Sequence, residues 1–216
     1  MFYCDNLKIR DEFGRERIFR GINIPLKSHW TNGFIARKHL LKEGLFEDMA
    51  SVGVNIVRLG ITWAAIEPHE GEYNDNLISA LKEFIDKCAQ HNIYVMFDMH
   101  QDLFSHHFHG DGAPKWAIDP SHPNPRQFAI WAEGYFYMQG VQNAFYDFWT
   151  NRNNIQIKFI KMWEYVANSL SQCDNIIGYD YFNEPYIHKD GRKVFLSLVS
   201  NIVKTVYSKN INFEKY

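Results

Sequence analysis

The chain has 216 residues, with 23 basic against 25 acidic side chains and no block of like charge, a balance that excludes the basic footprint of a nucleic-acid binder. That length suits one sizeable core rather than two small ones, and an aromatic share of 16% with seventeen Phe and six Trp supplies side chains for a core or a stacking surface alike. Cys4, Cys88 and Cys173 are widely spaced with no CxxC pair, so neither a disulfide framework nor a zinc knuckle is expected.

In chain order, Leu7–Arg10 and Arg17–Phe19 flank the polar, glycine-containing stretch Asp11–Arg15, a pattern that predicts a small opening hairpin. Its second arm continues through Gly21-Ile22-Asn23-Ile24 as a first core strand. Residues 43–52 place Leu45, Met49 and Val52 at helical spacing, and Gly53 ends that helix. Val54–Leu59 is a second buried-type strand. The pattern repeats over 76–90, where Leu77, Leu81, Phe84, Ile85 and Cys88 share a face, before Ile93–Phe97 makes a third strand. A long stretch from Met99 to about Tyr135 carries Pro114, Pro120, Pro123 and Pro125; loops of that length inside a domain are usually functional. Helical pattern returns over 141–170 with a break expected near Asn151–Asn154. Ile176–Phe182 is the fourth strand, and 192–207 the fourth main helix.

Alternating strand and helix, with near-continuous apolar strands, predicts a parallel α/β sheet covered by helices. A doubly wound nucleotide-binding sheet needs a Gly-rich turn after its first strand, where this chain has Asn23-Ile24-Pro25-Leu26-Lys27. The expected architecture is therefore of (β/α)8 TIM-barrel type. A closed barrel takes eight strands and typically about 250 residues; four βα units are read here, so the chain is expected to be a single partial domain over 1–216, half of a barrel.

Polar residues recur at the strand ends: Arg58 after the second, Asp98-Met99-His100-Gln101-Asp102 after the third, Asn183-Glu184-Pro185 after the fourth. Period-two alternation points Asp98, His100 and Asp102 the same way at the mouth of the sheet, where barrels keep their chemistry. Taken singly, Arg58 reads as a structural partner of a buried carboxylate and His100 as a satisfied core histidine. Their repetition at successive strand ends favours a site.

Asn183-Glu184-Pro185 at the end of a fourth barrel strand, with Arg58 in Val57-Arg58-Leu59 and His100 after strand three, resembles glycoside hydrolase family five, the retaining cellulase-like barrels. Asp98–Asp102 with Gly110-Asp111-Gly112-Ala113-Pro114-Lys115-Trp116 is similar to its endoglycoceramidase branch, as are Phe19–Asn23 with Lys27 and Phe145–Trp149. The resemblance implies hydrolysis of an O-glycosyl bond, with Glu184 as general acid/base, Asn183 on the sugar 2-hydroxyl, and Arg58 orienting the nucleophile. It also implies Lys27, His100, Asp102, Trp116 and Trp149 as substrate-binding, no metal or organic cofactor, and a glycosphingolipid or other lipid glycoside as partner with peripheral membrane contact. A lipid face is expected across Trp116, Phe145 and Trp149. The family suggests secretion or a lysosomal place, yet no basic-then-apolar leader opens this chain.

Retaining cleavage needs a second carboxyl about 5–5.5 Å from the acid/base. In the family it is a glutamate near the end of strand seven, a region this chain does not contain, so the nucleophile is expected to be missing and the chain alone inactive, with the second half-barrel as a further partner. Glu67, in Trp63–Tyr73, is read as structural or substrate-lining. Two rival readings stand beside these: a zinc hydrolase using Ser105-His106-His107-Phe108-His109-Gly110-Asp111 with Asp98, His100 and Asp102, and a non-catalytic half-barrel that binds glycolipid or a partner chain.

Overall fold

In a computed structural model, which describes residues 2–26, 33–123, 128–187 and 192–208, the chain opens with a hairpin of β1 (Phe2–Asp5) and β2 (Lys8–Asp11). This hairpin turns earlier than the sequence predicts. Its tip is Asn6-Leu7, both left-handed at φ 47° and 66°, and the two strands pair Asp5 with Lys8. The expected turn at 11–15 exists but is organised by a side chain: the Asp11 carboxylate accepts from the main-chain N–H groups of Phe13 and Arg15, each at 3.0 Å. An aspartate that satisfies a turn in this way leaves only the single bridge Arg10–Glu16 on the far side.

The core follows as β3 (Gly21–Leu26), α1 (Gly33–Leu40), α2 (Leu45–Ser51), β4 (Ile56–Ile61), α3 (Trp63–Ile66), α4 (Asp75–Gln90) and β5 (Tyr94–Met99). It continues with α5 (Gly134–Tyr137), α6 (Gln139–Trp149), α7 (Ile155–Leu170), β6 (Ile176–Asp180) and α8 (Arg192–Tyr207). The four core strands lie in the order β3-β4-β5-β6, every neighbour parallel. This is the first half of a (β/α)8 succession: each strand hands over to helical chain that packs back on one face of the sheet.

Sequence explains most of the element boundaries. Asn74 caps α4 by accepting the Leu77 N–H at 3.1 Å, and Leu77, Leu81, Phe84, Ile85 and Cys88 are all fully buried along its inner face, as their spacing predicts. Gly53 ends α2 at φ 80°. Val52 departs from its expected inward place: it stands just past the last turn of α2 and is 77% exposed. The predicted break between α6 and α7 is real, with Asn151, Asn153 and Asn154 all in the left-handed region that asparagine tolerates better than most residues.

On the helix side of the sheet Val57, Leu59, Ile61, Val95, Phe97 and Met99 are buried, sealed by an aromatic layer in which Trp163 meets Phe97, Tyr179 and Tyr181 edge-on. The opposite, lumen side carries Arg58, Asp98 and Asp180. Between β5 and β6 the register shifts by one residue, so that Val95 faces Ile176 but Met96 faces Gly178. That bulge re-aims the following side chains and brings Asp180 level with Asp98. Among the described residues no helix is long and apolar enough to cross a membrane.

Candidate functional site

Arg58 projects from the middle of β4 into the lumen, where it joins three strands. Its Nη2 donates to Asn183 Oδ1 at 2.7 Å and to Asp180 Oδ2 at 3.2 Å, and its Nη1 donates to Asn23 Oδ1 at 3.3 Å. Both Nη2 hydrogens are thereby engaged. The same nitrogen lies 2.9 Å from Asp98 Oδ1, an ionic contact with no hydrogen left to share, and that oxygen has no hydrogen bond. Asp98 is 0% exposed, and Gly60 leaves the space for it: a Cβ at Gly60 would come within 3.0 Å of Asp98 Oδ2 and 3.3 Å of the Pro25 backbone.

Alternation places His100 directly beyond Asp98. Its Nδ1 is 3.0 Å from Asp98 Oδ2 and its Nε2 3.5 Å from Asp102 Oδ2, so the imidazole is held between two carboxylates. Asp102, then Asp98, hold the proton on it, raising its pKa to about 9 against the cost of burial. Burial pushes the Asp98 carboxyl above its usual range, opposed by the His100 hydrogen bond and the Arg58 charge. Arg58 and protonated His100 therefore stand among Asp98, Asp102 and Asp180, a floor of alternating charge in which each group has a counterion.

Asn183 and Glu184 follow β6. Asn183 is buried and fixed at both ends, with its side-chain oxygen on Arg58, its Nδ2 donating to Gln101 O at 3.0 Å, and its main-chain N–H donating to Met99 O at 3.0 Å. Glu184 is exposed at the mouth of the sheet. Its φ is 42°, a left-handed conformation that costs a non-glycine residue roughly 1–2 kcal/mol. Its charge is felt by the half-buried Tyr135 phenol, whose pKa is raised first by burial and further by Asp102 and Glu184.

The structure thus brings together Arg58, His100, Asp102, Asn183 and Glu184 at adjacent strand ends. Lys27 lies outside the described residues. Trp149 is 4% exposed, its indole N–H donates to Tyr186 O at 2.8 Å, and it packs on Phe182 and Phe195; it braces the segment after Glu184 from behind. Trp116 is half-buried, donates to Glu67 O at 3.1 Å and stands edge-on to Trp63. Phe145 is fully buried. The Glu67 carboxylate accepts from Trp63 Nε1 and Gly71 N, both at 2.8 Å, and burial raises its pKa, which fits the structural reading of its loop.

Three participants escaped the sequence reading. Asp180 becomes a lumen residue through the bulge, which no period-two count anticipates. Gln101 sits inside the string Asp98–Asp102, where strict alternation turns it away from the mouth. Tyr135, whose hydroxyl receives the Leu103 N–H at 2.9 Å, lies too far along the chain for any local signal. The loop Ser105–Asp111, which one rival reading joins to Asp98, His100 and Asp102 as metal ligands, closes instead on itself, with Asp102 bridged to Asp111 and Ser105 to Ala113. No group of three or more His, Cys, Asp or Glu among the described residues could hold a metal ion.

Residues 11–214 match the cellulase family, glycosyl hydrolase family 5. An endoglycoceramidase of Hydra vulgaris is 29% identical over 203 residues, covering 82% of this chain and 38% of that protein. The solved structure of endo-glycoceramidase II from Rhodococcus sp. superposes with a TM-score of 0.78 at 26% identity, covering 93% of this chain and 48% of that one. The same enzyme in its ganglioside GM3 complex superposes at 0.77. The chain spans about half the length of the relatives it matches.

Proposed function

The chain belongs to the cellulase family of glycosyl hydrolases, family 5, and from that premise we propose that it supplies the acid/base half of a retaining β-glycosidase that cleaves glycan from ceramide. The observation that carries this reading is the constellation at the end of β6: Glu184 open to the mouth, with Asn183 beside it held 2.7 Å from Arg58.

Glu184 gives its proton to the glycosidic oxygen as the bond to the sugar breaks. A nucleophilic carboxylate takes the anomeric carbon from the opposite face, forming a covalent glycosyl-enzyme. Glu184, now ionised, removes a proton from the water that hydrolyses that intermediate. The nucleophile comes from a second half-barrel, continuous with this chain or supplied beside it, which also covers the open edges of β3 and β6. Among the described residues, Arg58 keeps its Nε–H and one Nη1 hydrogen for that carboxylate, and a cation there holds the nucleophile ionised. His100, its two N–H groups turned to Asp98 and Asp102, holds Asp102 in place to accept from a hydroxyl of the sugar being cleaved. Asn183 has one Nδ2 hydrogen left for the 2-hydroxyl. Lys27 and Trp116 enter as sugar or lipid contacts on the family resemblance alone. The partner is a glycosphingolipid, met at a membrane surface, and the domain extends over the whole of 1–216.

Glu184→Gln tests the assignment. In the active protein turnover of a ceramide glycoside is expected to fall by about a thousand-fold, within the range of general acid catalysis. Unchanged turnover would refute the role of Glu184.

A further inference from the structure

Gln101 is 3% exposed and has no part in the chemistry described above. Its Oε1 accepts the Phe104 N–H at 2.8 Å, which fixes the orientation of the amide because only an oxygen can face that donor. Its Nε2 must therefore point the other way. There it lies 2.8 Å from Asn183 O, 3.0 Å from Glu184 O and 3.2 Å from the Tyr135 hydroxyl. Its main-chain oxygen receives Asn183 Nδ2 at 3.0 Å. Gly112 opens the room: a Cβ there would stand 2.7 Å from Gln101 Cβ and 2.7 Å from Phe104 O.

Successive carbonyls of an extended strand point in opposite directions, so one nitrogen reaches two in a row only where the chain turns between them. The turn is the left-handed Glu184, at φ 42°, followed by Pro185, which narrows the conformations open to its predecessor. Among the described residues Gln101 is the hydrogen-bond donor to the Glu184 carbonyl. Without that donor the two carbonyls lose their partner, the Asn183 carbonyl in a buried setting, and the turn loses the contact that favours it.

We propose that Gln101 is a positioning residue: its side-chain amide clamps the carbonyls of Asn183 and Glu184 and so aims the Glu184 carboxyl at the glycosidic oxygen. The inference rests on the reading of Glu184 as acid/base. It assigns Gln101 to proton delivery rather than to substrate binding, because its side chain is buried and its amide is spent on Phe104, Asn183 and Glu184.

Two variants separate this from a merely structural role. Gln101→Met keeps the volume but removes every polar contact of the side chain, and Gln101→Glu keeps an acceptor for Phe104 while losing the donor. In the active protein, kcat/KM for a glycoside with an alkyl leaving group, which needs the proton, should fall about thirty-fold in either variant. For the dinitrophenyl glycoside of the same sugar, whose leaving group needs none, it should stay within about three-fold. Equal losses on both substrates, or no loss on either, overturn the proposal. Hydrogen exchange gives a readout that needs no turnover: the Asn183 amide, bonded to Met99 O, should exchange about ten-fold faster in either variant than in the parent chain. Unaltered exchange in both variants overturns the clamp. A parent protein that cleaves neither glycoside sinks the glycosidase reading, and the exchange rates then still decide whether Gln101 holds the turn.

Discussion

The two faces of the central sheet differ in how far this chain completes them. On the helix side Val57, Leu59, Ile61, Val95, Phe97 and Met99 are sealed beneath α4, α6 and α7. On the lumen side Ile56, Tyr94 and Met96 are half-buried and Arg58 keeps a quarter of its side chain in solvent. The lumen nevertheless holds the fully buried Asp98, kept in place by Arg58 and His100. One face is stabilised by apolar packing within the chain, the other by ion pairs and hydrogen bonds that gather at the strand ends. Apolar packing thus lies on one side of these strands and the candidate site on the other, gathered at their carboxyl ends, where parallel barrels keep their chemistry.

Neighbouring substitutions sharpen that contrast. Met99→Ala, on the sealed face, is expected to cost about 4 kcal/mol in chemical denaturation, the range for emptying a packed core site. An effect near zero would mean that the helix face is not closed. The ion-pair side makes its contribution through pH. The folded-state pKa of His100, about 9, lies above the ordinary 6.5, so its stabilisation is complete below about 6.5 and is lost as pH rises through 9. Linkage puts the loss at about 3 kcal/mol, and His100→Gln should abolish that slope in denaturation series between pH 6.5 and 9; a parent protein with flat stability there would break the account. Met96→Ala, on the lumen face, should cost no more than about 1 kcal/mol in residues 1–216 alone, since its environment is open. A cost matching Met99→Ala would show the lumen filled in solution.

Much of the fold was legible because its signals are local or strictly periodic. The buried stripe of α4 follows from five apolar residues at helical spacing, and the end of α2 from Gly53. The candidate site was legible where periodicity carries it, which is why the sequence alone sets Asp98, His100 and Asp102 on one floor. It failed at Asp180, where a one-residue bulge changes the parity of β6. Gln101 and Tyr135 were missed because their importance comes from contacts across many intervening residues. Val52 and the opening hairpin were misplaced for smaller reasons, a helix that stops one residue earlier and an aspartate that folds its own turn. Trp149 and Phe145 were expected at a lipid face, yet both lie in the packed interior, where aromatic residues serve equally well.

The half-site account is tested most directly by release of glycan from a glycosphingolipid with a β-glucosyl link to ceramide, assayed with residues 1–216 alone and with the same residues completed by the second half-barrel. The expected result is no hydrolysis by 1–216 alone, and release by the completed protein with the β anomer appearing first. Turnover by a monomer of 1–216, or first appearance of the α anomer from the completed protein, would contradict it.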